Sequence, residues 1–370
     1  MIVQLYIQKF IFQLLYKMIN LNKLKTIKRI TTKDNRNFKI GIRSDRNEKV
    51  ENWPTYIFKK IFKSIKPHEF TAYYNTTDLI KLNYSIAKFL NISVENFIIN
   101  HGGDGVIKEF LLVNYKKNLK VILNGNNYEM YKVYFKGLNI KYYETPYKIN
   151  LQQNNIVKLD LKYFNKNIKK SDIIFITNPN QVSNCDFKPQ DILQLCRKYP
   201  KKLFFIDESY YGFGHYTLTK YAVKIKNLYV MRSITKTFGL ASARIGFLIS
   251  HKNSIKSFKA LQTPYPVSLF SGKSLEYFLK NISLIKEYNY RVQEGRELFC
   301  KELIKKGYLI NNGMGLSVLI YFKSSIYLNK IYLKLYKKKL YTKKLKINTS
   351  NFLRVTCAPK NIMQKFIKLF

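Results

Sequence analysis

Between about residues 85 and 250 the chain alternates short, uninterrupted apolar runs with longer amphipathic segments, and this alternation limits its fold more than any other feature. VILN (121–124), DIIFIT (172–177), LFFI (203–206) and LYVM (228–231) are too short for globular helices. Continuous apolar runs of this length read as strands buried on both faces. VIKEFLLVNY (106–115) and PQDILQLCRKY (189–199) fall between them and carry helical spacing. Strand–helix–strand alternation predicts an α/β fold with a mostly parallel sheet between layers of helices. After Pro264 and Pro266 the pattern changes to a long helical stretch and then to short strands, LSVLIYF (316–322) and NFLRVTC (351–357). That change predicts a smaller α+β domain completed by N-terminal residues. The expected organisation is an N-terminal extension of open status (1–39), a segment joining the small domain (40–68), a large domain (69–265) and a small C-terminal domain (266–370).

The chain has 370 residues, 46% of them hydrophobic, enough for a large core and a smaller one. A net charge of +44 would by itself suit nucleic acid or an anionic surface. The lysines are spread along the whole chain, however, and no helix-turn-helix, paired-cysteine finger or RNP-like aromatic motif accompanies them. A nucleic-acid or anionic-surface binding protein is therefore the remote alternative. Cys185, Cys196, Cys300 and Cys357 show no CxxC spacing, and the four histidines are equally dispersed. They read as free thiols of a reducing, cytoplasmic compartment, with no metal site expected. The first nineteen residues are apolar but interrupted by Gln4, Gln8, Lys9, Gln13 and Lys17, which leaves no membrane span. An interfacial helix, a dimer arm, and sequence upstream of a true start at Met18 all fit that stretch.

In an open parallel sheet, ligands collect at the carboxyl ends of the strands. Asn178-Pro179-Asn180-Gln181 follows DIIFIT, Asp207-Glu208-Ser209-Tyr210 follows LFFI, and Ser233-Ile234-Thr235-Lys236 follows LYVM, with Arg244 eight residues after the lysine. Three successive strand ends thus deliver amides, a carboxylate with a tyrosine, and a lysine. A lysine near low-dielectric surroundings has a depressed pKa and becomes nucleophilic.

This ordered set, Asn178-Pro179-Asn180, Asp207-Glu208-x-Tyr210 and Ser233-x-x-Lys236-x7-Arg244, resembles the fold-type I pyridoxal-phosphate (PLP) aminotransferases, and among them the histidinol-phosphate aminotransferase-like branch. The resemblance runs from about Ile40 to Phe370. It implies that Lys236 anchors PLP and moves the proton between the substrate α-carbon and the cofactor. It implies that Asp207 faces the protonated ring nitrogen and that Tyr210 bonds the phenolic oxygen. Gly102, Gly103 and Asp104, before the helix at 106–115, would hold the phosphate with Ser233, Thr235 and Arg244. Tyr128 would stack on the ring, and Asn180 and Gln181 would approach its phenolic side. Tyr73 would reach the phosphate of a second subunit, making a homodimer with shared active sites. Arg354 would grip the substrate carboxylate, with Asn47 on the substrate side.

The implied activity is transfer of an amino group from an amino acid, with glutamate as a candidate donor, to a keto or aldehyde acceptor. A PLP-dependent decarboxylase or lyase on the same scaffold is the alternative. The family usually reads NPNNPTG where residues 178–184 here read NPNQVSN, so Gln181 replaces an asparagine. At the tyrosine motif Tyr74 replaces a proline, and Gly103 replaces the usual serine. These departures bear on substrate identity and cofactor tuning, and leave the lysine, the aspartate and both arginines in place.

Overall fold

The computed structural model describes residues 41–125, 128–180, 187–213, 216–312 and 315–370. The apolar N-terminal stretch, Gln181 with the rest of its altered turn, and Cys185 lie outside the described residues. A seven-stranded sheet forms the centre. Its strands are β1 (Phe97–His101), β2 (Lys120–Leu123), β3 (Lys141–Glu144), β4 (Ile173–Thr177), β5 (Leu203–Asp207), β6 (Leu228–Ser233) and β7 (Ile245–Ile249). They lie in the order β1-β7-β6-β5-β4-β2-β3. All neighbours are parallel except β7, which runs antiparallel to both β1 and β6.

The four apolar runs are β2, β4, β5 and β6, and their continuity has a plain cause. Ile174, Ile176, Phe204, Ile206 and Val230 point into one core, shared with Ile192. Ile173, Phe175, Phe205 and Tyr229 point into a second core on the other face, shared with Phe110 and Phe135. Because successive side chains of a strand point to opposite faces, a sheet covered on both sides needs apolar residues at every position.

The helices that frame the site are α1 (Thr55–Lys63), α2 (Thr76–Leu90), α3 (Gly102–Val113), α4 (Glu129–Gly137), α5 (Pro189–Lys198), α6 (Ile234–Thr237), α7 (Leu269–Lys280) and α8 (Ile282–Lys305). Ile57 and Ile61 of α1, Leu79 and Leu82 of α2, and Leu275 and Phe278 of α7 join the same core as α5. A second, antiparallel sheet follows, of β8 (Ile310–Asn311), β9 (Ser317–Phe322), β10 (Lys343–Ile347) and β11 (Ser350–Thr356), in the order β8-β9-β11-β10. Val318 and Ile320 of β9 and Leu353 and Val355 of β11 pack with Phe299 and Leu303 of α8 in a separate core. Ile42–Arg43 pairs in parallel with Leu340–Tyr341, and Thr356 N donates to Ser44 O at 2.9 Å, tying the chain's described N-terminal segment to this sheet. Among the described residues, no helix is long and apolar enough to cross a membrane.

Helix α3 starts at Gly102, four residues before the expected helical run, so the glycines form its first turn. Gly246 of β7 makes that placement possible. A Cβ there would lie 2.6 Å from Gly102 C and 2.9 Å from Gly103 N. Both contacts are backbone atoms that cannot rotate away. The substitution Gly246→Ala is expected to lower stability in denaturant unfolding by about 1–3 kcal/mol through overpacking.

Candidate active site

The ends of β4, β5 and β6 lie side by side, with Thr177 opposite Asp207 and Asp207 opposite Met231. Their continuations remain stitched together: Asn178 N donates to Asp207 O at 2.9 Å and Glu208 N to Met231 O at 2.8 Å. Whatever follows these strands therefore meets at one edge.

Asp207 is buried there. Its Oδ1 accepts from Ser209 N at 2.9 Å and its Oδ2 from Tyr131 Oη at 2.9 Å. Burial pushes its carboxyl above the usual range, and the bonds from Ser209 and Tyr131 pull it back. Burial also raises the Tyr131 phenol well above its ordinary value, which keeps its proton available for donation. No ion pair among the described residues engages Asp207. A buried carboxylate without a cation is costly, so this site is electrostatically suited to a cationic ligand group.

Lys236 stands on α6, a single helical turn. Ser233 caps that turn: its Oγ accepts from Thr235 N at 3.2 Å and donates to Thr235 Oγ1 at 2.9 Å. The Thr237 hydroxyl donates to Tyr211 O, and Trp53 Nε1 donates to Phe238 O at 3.0 Å. Lys236 is partly exposed to solvent, yet burial lowers its amine to about 8. Glu48 and Asp104 oppose that shift, while Arg354 and Arg244 reinforce it. Below it, buried Arg232 pairs with buried Glu208 at 3.2 Å and lies 3.4 Å from the centre of the Tyr211 ring. Glu208 also accepts from Leu218 N at 2.6 Å. This pair ties the residue before Ser233 to the residue after Asp207.

The first turn of α3 completes the cluster. Gly102 has φ +67°, and a Cβ on it would lie 2.8 Å from Arg244 Nη2. Arg244, itself at φ 50°, pairs through Nη2 with Asp104 Oδ2 at 3.0 Å. Tyr128 Oη and Tyr134 Oη donate to Asp104 Oδ1 at 2.8 and 3.1 Å. Backbone N–H groups of a helix start beside a guanidinium are the elements of an anion site.

Opposite lies a second arginine. Arg354 of β11 is buried; its Nη2 donates to Asp45 O at 2.9 Å, and its Nε has no hydrogen-bond partner. An unsatisfied buried guanidinium nitrogen is an opening for a ligand acceptor. Tyr210 Oη accepts from Asn47 Nδ2 at 2.9 Å, and Asn47 Oδ1 accepts from Thr356 Oγ1 at 3.2 Å. Asn180 Nδ2 donates to Asn124 O at 3.1 Å and to Tyr147 Oη at 3.0 Å. Tyr73 makes none of these contacts: it is 79% exposed and stacks on Tyr265 with ring centres 4.6 Å apart.

Sequence reasoning passed over Tyr131 and the Glu208–Arg232 pair. The one signal for Tyr131 is its position one helical turn after Tyr128. The donor set fits PLP: a helix start and Arg244 for a phosphate, Asp207 for a protonated ring nitrogen, and Lys236 for the aldehyde carbon.

Residues 46–368 match the family model described as aminotransferase class I and II. The chain belongs to that family. It is a PLP-dependent aminotransferase. A histidinol-phosphate aminotransferase of Clostridium novyi is 27% identical over 335 residues, 90% of this chain and 91% of that protein. One from Sulfurisphaera tokodaii is 28% identical over 74% of this chain and 76% of its own length. The crystal structure of histidinol-phosphate aminotransferase from Sinorhizobium meliloti in complex with pyridoxal-5'-phosphate superimposes with a TM-score of 0.76, covering 89% of each chain at 16% identity. The α/β expectation and the family resemblance are both met.

In this aminotransferase Tyr131 is one of the donors that hold buried Asp207, so removing it has a measurable cost. Tyr131→Phe is expected to lose about 1–3 kcal/mol in denaturant unfolding, because it strips a donor from a buried carboxylate. It should also weaken PLP binding in equilibrium titration.

Proposed function

We propose that this aminotransferase moves an amino group from an amino acid, with glutamate the first donor to test, to a keto or aldehyde acceptor of the kind used by the histidinol-phosphate aminotransferases it resembles. The observation that carries this reading is Asp207, buried, held by two donors and unpaired with any cation among the described residues. The bound cofactor draws electrons from the substrate α-carbon, and does so best when its ring nitrogen keeps a proton. Asp207 holds that proton in place.

Lys236 anchors the cofactor and, once released, its Nζ carries the proton to and from the substrate α-carbon. Gly102, Gly103 and Asp104 with Ser233, Thr235 and Arg244 hold the phosphate. Tyr210, oriented by Asn47, meets the phenolic oxygen, and Tyr128 covers the ring. Asn180 lies toward the phenolic side. Arg354 takes the substrate carboxylate with the nitrogen left without a partner, and so fixes which α-carbon bond is broken.

We further propose a cytoplasmic homodimer in which Tyr73, exposed in one protomer, reaches the phosphate of its partner. The division into a large domain (69–265) and a small one (266–370), with 40–68 joining the latter, belongs to the same proposal. Arg354→Met is expected to lower kcat/KM on the order of hundredfold, or about 2.7 kcal/mol, through loss of charge-assisted bonds to the carboxylate. PLP absorbance should survive that change.

The neutral amine of Lys236 is the nucleophile, and burial lowers it to about 8. Capture of PLP by the cofactor-free enzyme should therefore rise with pH and level off above about 8, read as growth of visible absorbance. Lys236→Ala should show no such absorbance at any pH. Its absence from the unmutated protein would refute the reading.

A further inference from the structure

Lysines run the length of this chain, but carboxylates do not. No aspartate or glutamate follows Glu302, whereas Arg354 and fourteen lysines lie beyond it. Earlier lysines find acidic partners, as Lys116 does with Asp172 at 2.7 Å and Lys132 with Glu144 at 2.8 Å. Past α8 the partner must come from that helix, as Glu294 does for Lys360 at 2.6 Å, and among the described residues no lysine from 323 to 346 forms an ion pair.

These lysines gather about one helix, α9 (Ser325–Lys337). Its Leu328, Ile331 and Leu335 point into the core shared with Val318, Leu353 and Phe299. On the opposite side, Ile326, Lys330, Leu333 and Lys337 follow one another at single helical turns and form one outward ridge. Ile326 is 80% exposed and Leu333 53%, so the crest of a solvent-facing helix is apolar. Exposed Lys334 flanks it, and Lys338 and Lys339 prolong it past the helix end. Strand β10 widens the patch: Lys344 Nζ donates to Asn329 Oδ1 at 2.8 Å and lies 4.5 Å from the centre of the Tyr332 ring. Lys346, two residues on, is exposed on the same face of that strand.

We propose that this face docks the enzyme on an anionic phospholipid surface, with Ile326 and Leu333 entering the acyl boundary and the surrounding lysines meeting the headgroup phosphates. Ammonium groups without carboxylate partners attract a polyanion. An apolar crest among them is favourable where that anion is carried on an apolar layer. Lysine stems lie along such a boundary while their charges stay at headgroup level. A nucleic acid matches the charge but would press the crest against phosphates, and its bases stack on open aromatic faces. The rings here are engaged, Tyr332 with Tyr336 at 6.2 Å between centres and Tyr327 through its hydroxyl with that of Tyr308 at 2.9 Å. Leu353 and Arg354 are successive residues of β11 and point to opposite faces of the sheet. Helix α9 therefore covers the face turned away from Arg354, and docking leaves the candidate active site open.

The test sediments full-length, PLP-loaded enzyme with vesicles of phosphatidylcholine alone or of phosphatidylcholine with phosphatidylserine. Binding is expected only to the mixed vesicles, falling as salt is raised. The triple variant Lys330→Gln, Lys334→Gln, Lys337→Gln should lower the partition coefficient on the order of hundredfold. The double variant Ile326→Ser, Leu333→Ser, which keeps every charge, should lower it roughly tenfold. All five side chains face solvent, so thermal unfolding and aminotransferase activity should be unchanged in both variants. Absence of binding to the mixed vesicles overturns the proposal, as does binding that either variant leaves intact. Duplex DNA is run in parallel: tighter binding to it, lost in the lysine variant and indifferent to the serine one, would also overturn the lipid assignment. So would self-association in sedimentation velocity that the serine variant abolishes, which would give the face to a second copy of the chain.

Discussion

A buried carboxylate with no cation paired to it among the described residues governs this structure. Asp207 closes β5 at the middle of a sheet covered on both faces, where a charge has no water to stabilise it. Two donors, Ser209 N and Tyr131 Oη, hold it in one orientation. The rest of the site is arranged about that point, with Lys236 at the next strand end, the start of α3 beside Arg244, and Arg354 across from them on the second sheet. The buried Glu208–Arg232 pair keeps the ends of β5 and β6 at a fixed separation. Removing either partner would leave an uncompensated charge beneath Lys236.

Two separate sheets meet around this cluster. The seven-stranded sheet supplies Asp207, Tyr210, Ser233 and Lys236, while the four-stranded sheet supplies Arg354 and Thr356. The segment from Ser44 to Trp53 bonds to both, through Thr356 on one side and through Tyr210 and Phe238 on the other. In the proposed reading, substrate gripped by Arg354 would be set against a cofactor carried by the other sheet. The bridging segment sets how the two halves register.

Much of this was legible in the sequence. Burial on both faces demands apolar residues at every strand position, so β2, β4, β5 and β6 announced themselves, and the polar residues just beyond them marked the site. Strand direction left no such trace: 245–250 is as apolar as its neighbours, and nothing in it tells that β7 runs antiparallel. The glycines at 102–105 suggested a loop because glycine disfavours helices, yet Gly246 opposite them leaves room only for a bare helical turn. Tyr131 was hidden among thirty tyrosines, since a hydrogen bond to a residue 76 positions away has no local signature.

The pairing of Asp207 with a protonated ring nitrogen is open to direct observation. Nitrogen-15 NMR of ring-labelled PLP bound to the enzyme reports the protonation state of that nitrogen. A protonated nitrogen that persists to alkaline pH in the unmutated protein, and is lost in Asp207→Asn, is the expected result. A nitrogen that titrates alike in both proteins, or carries no proton in either, would contradict the role assigned to Asp207.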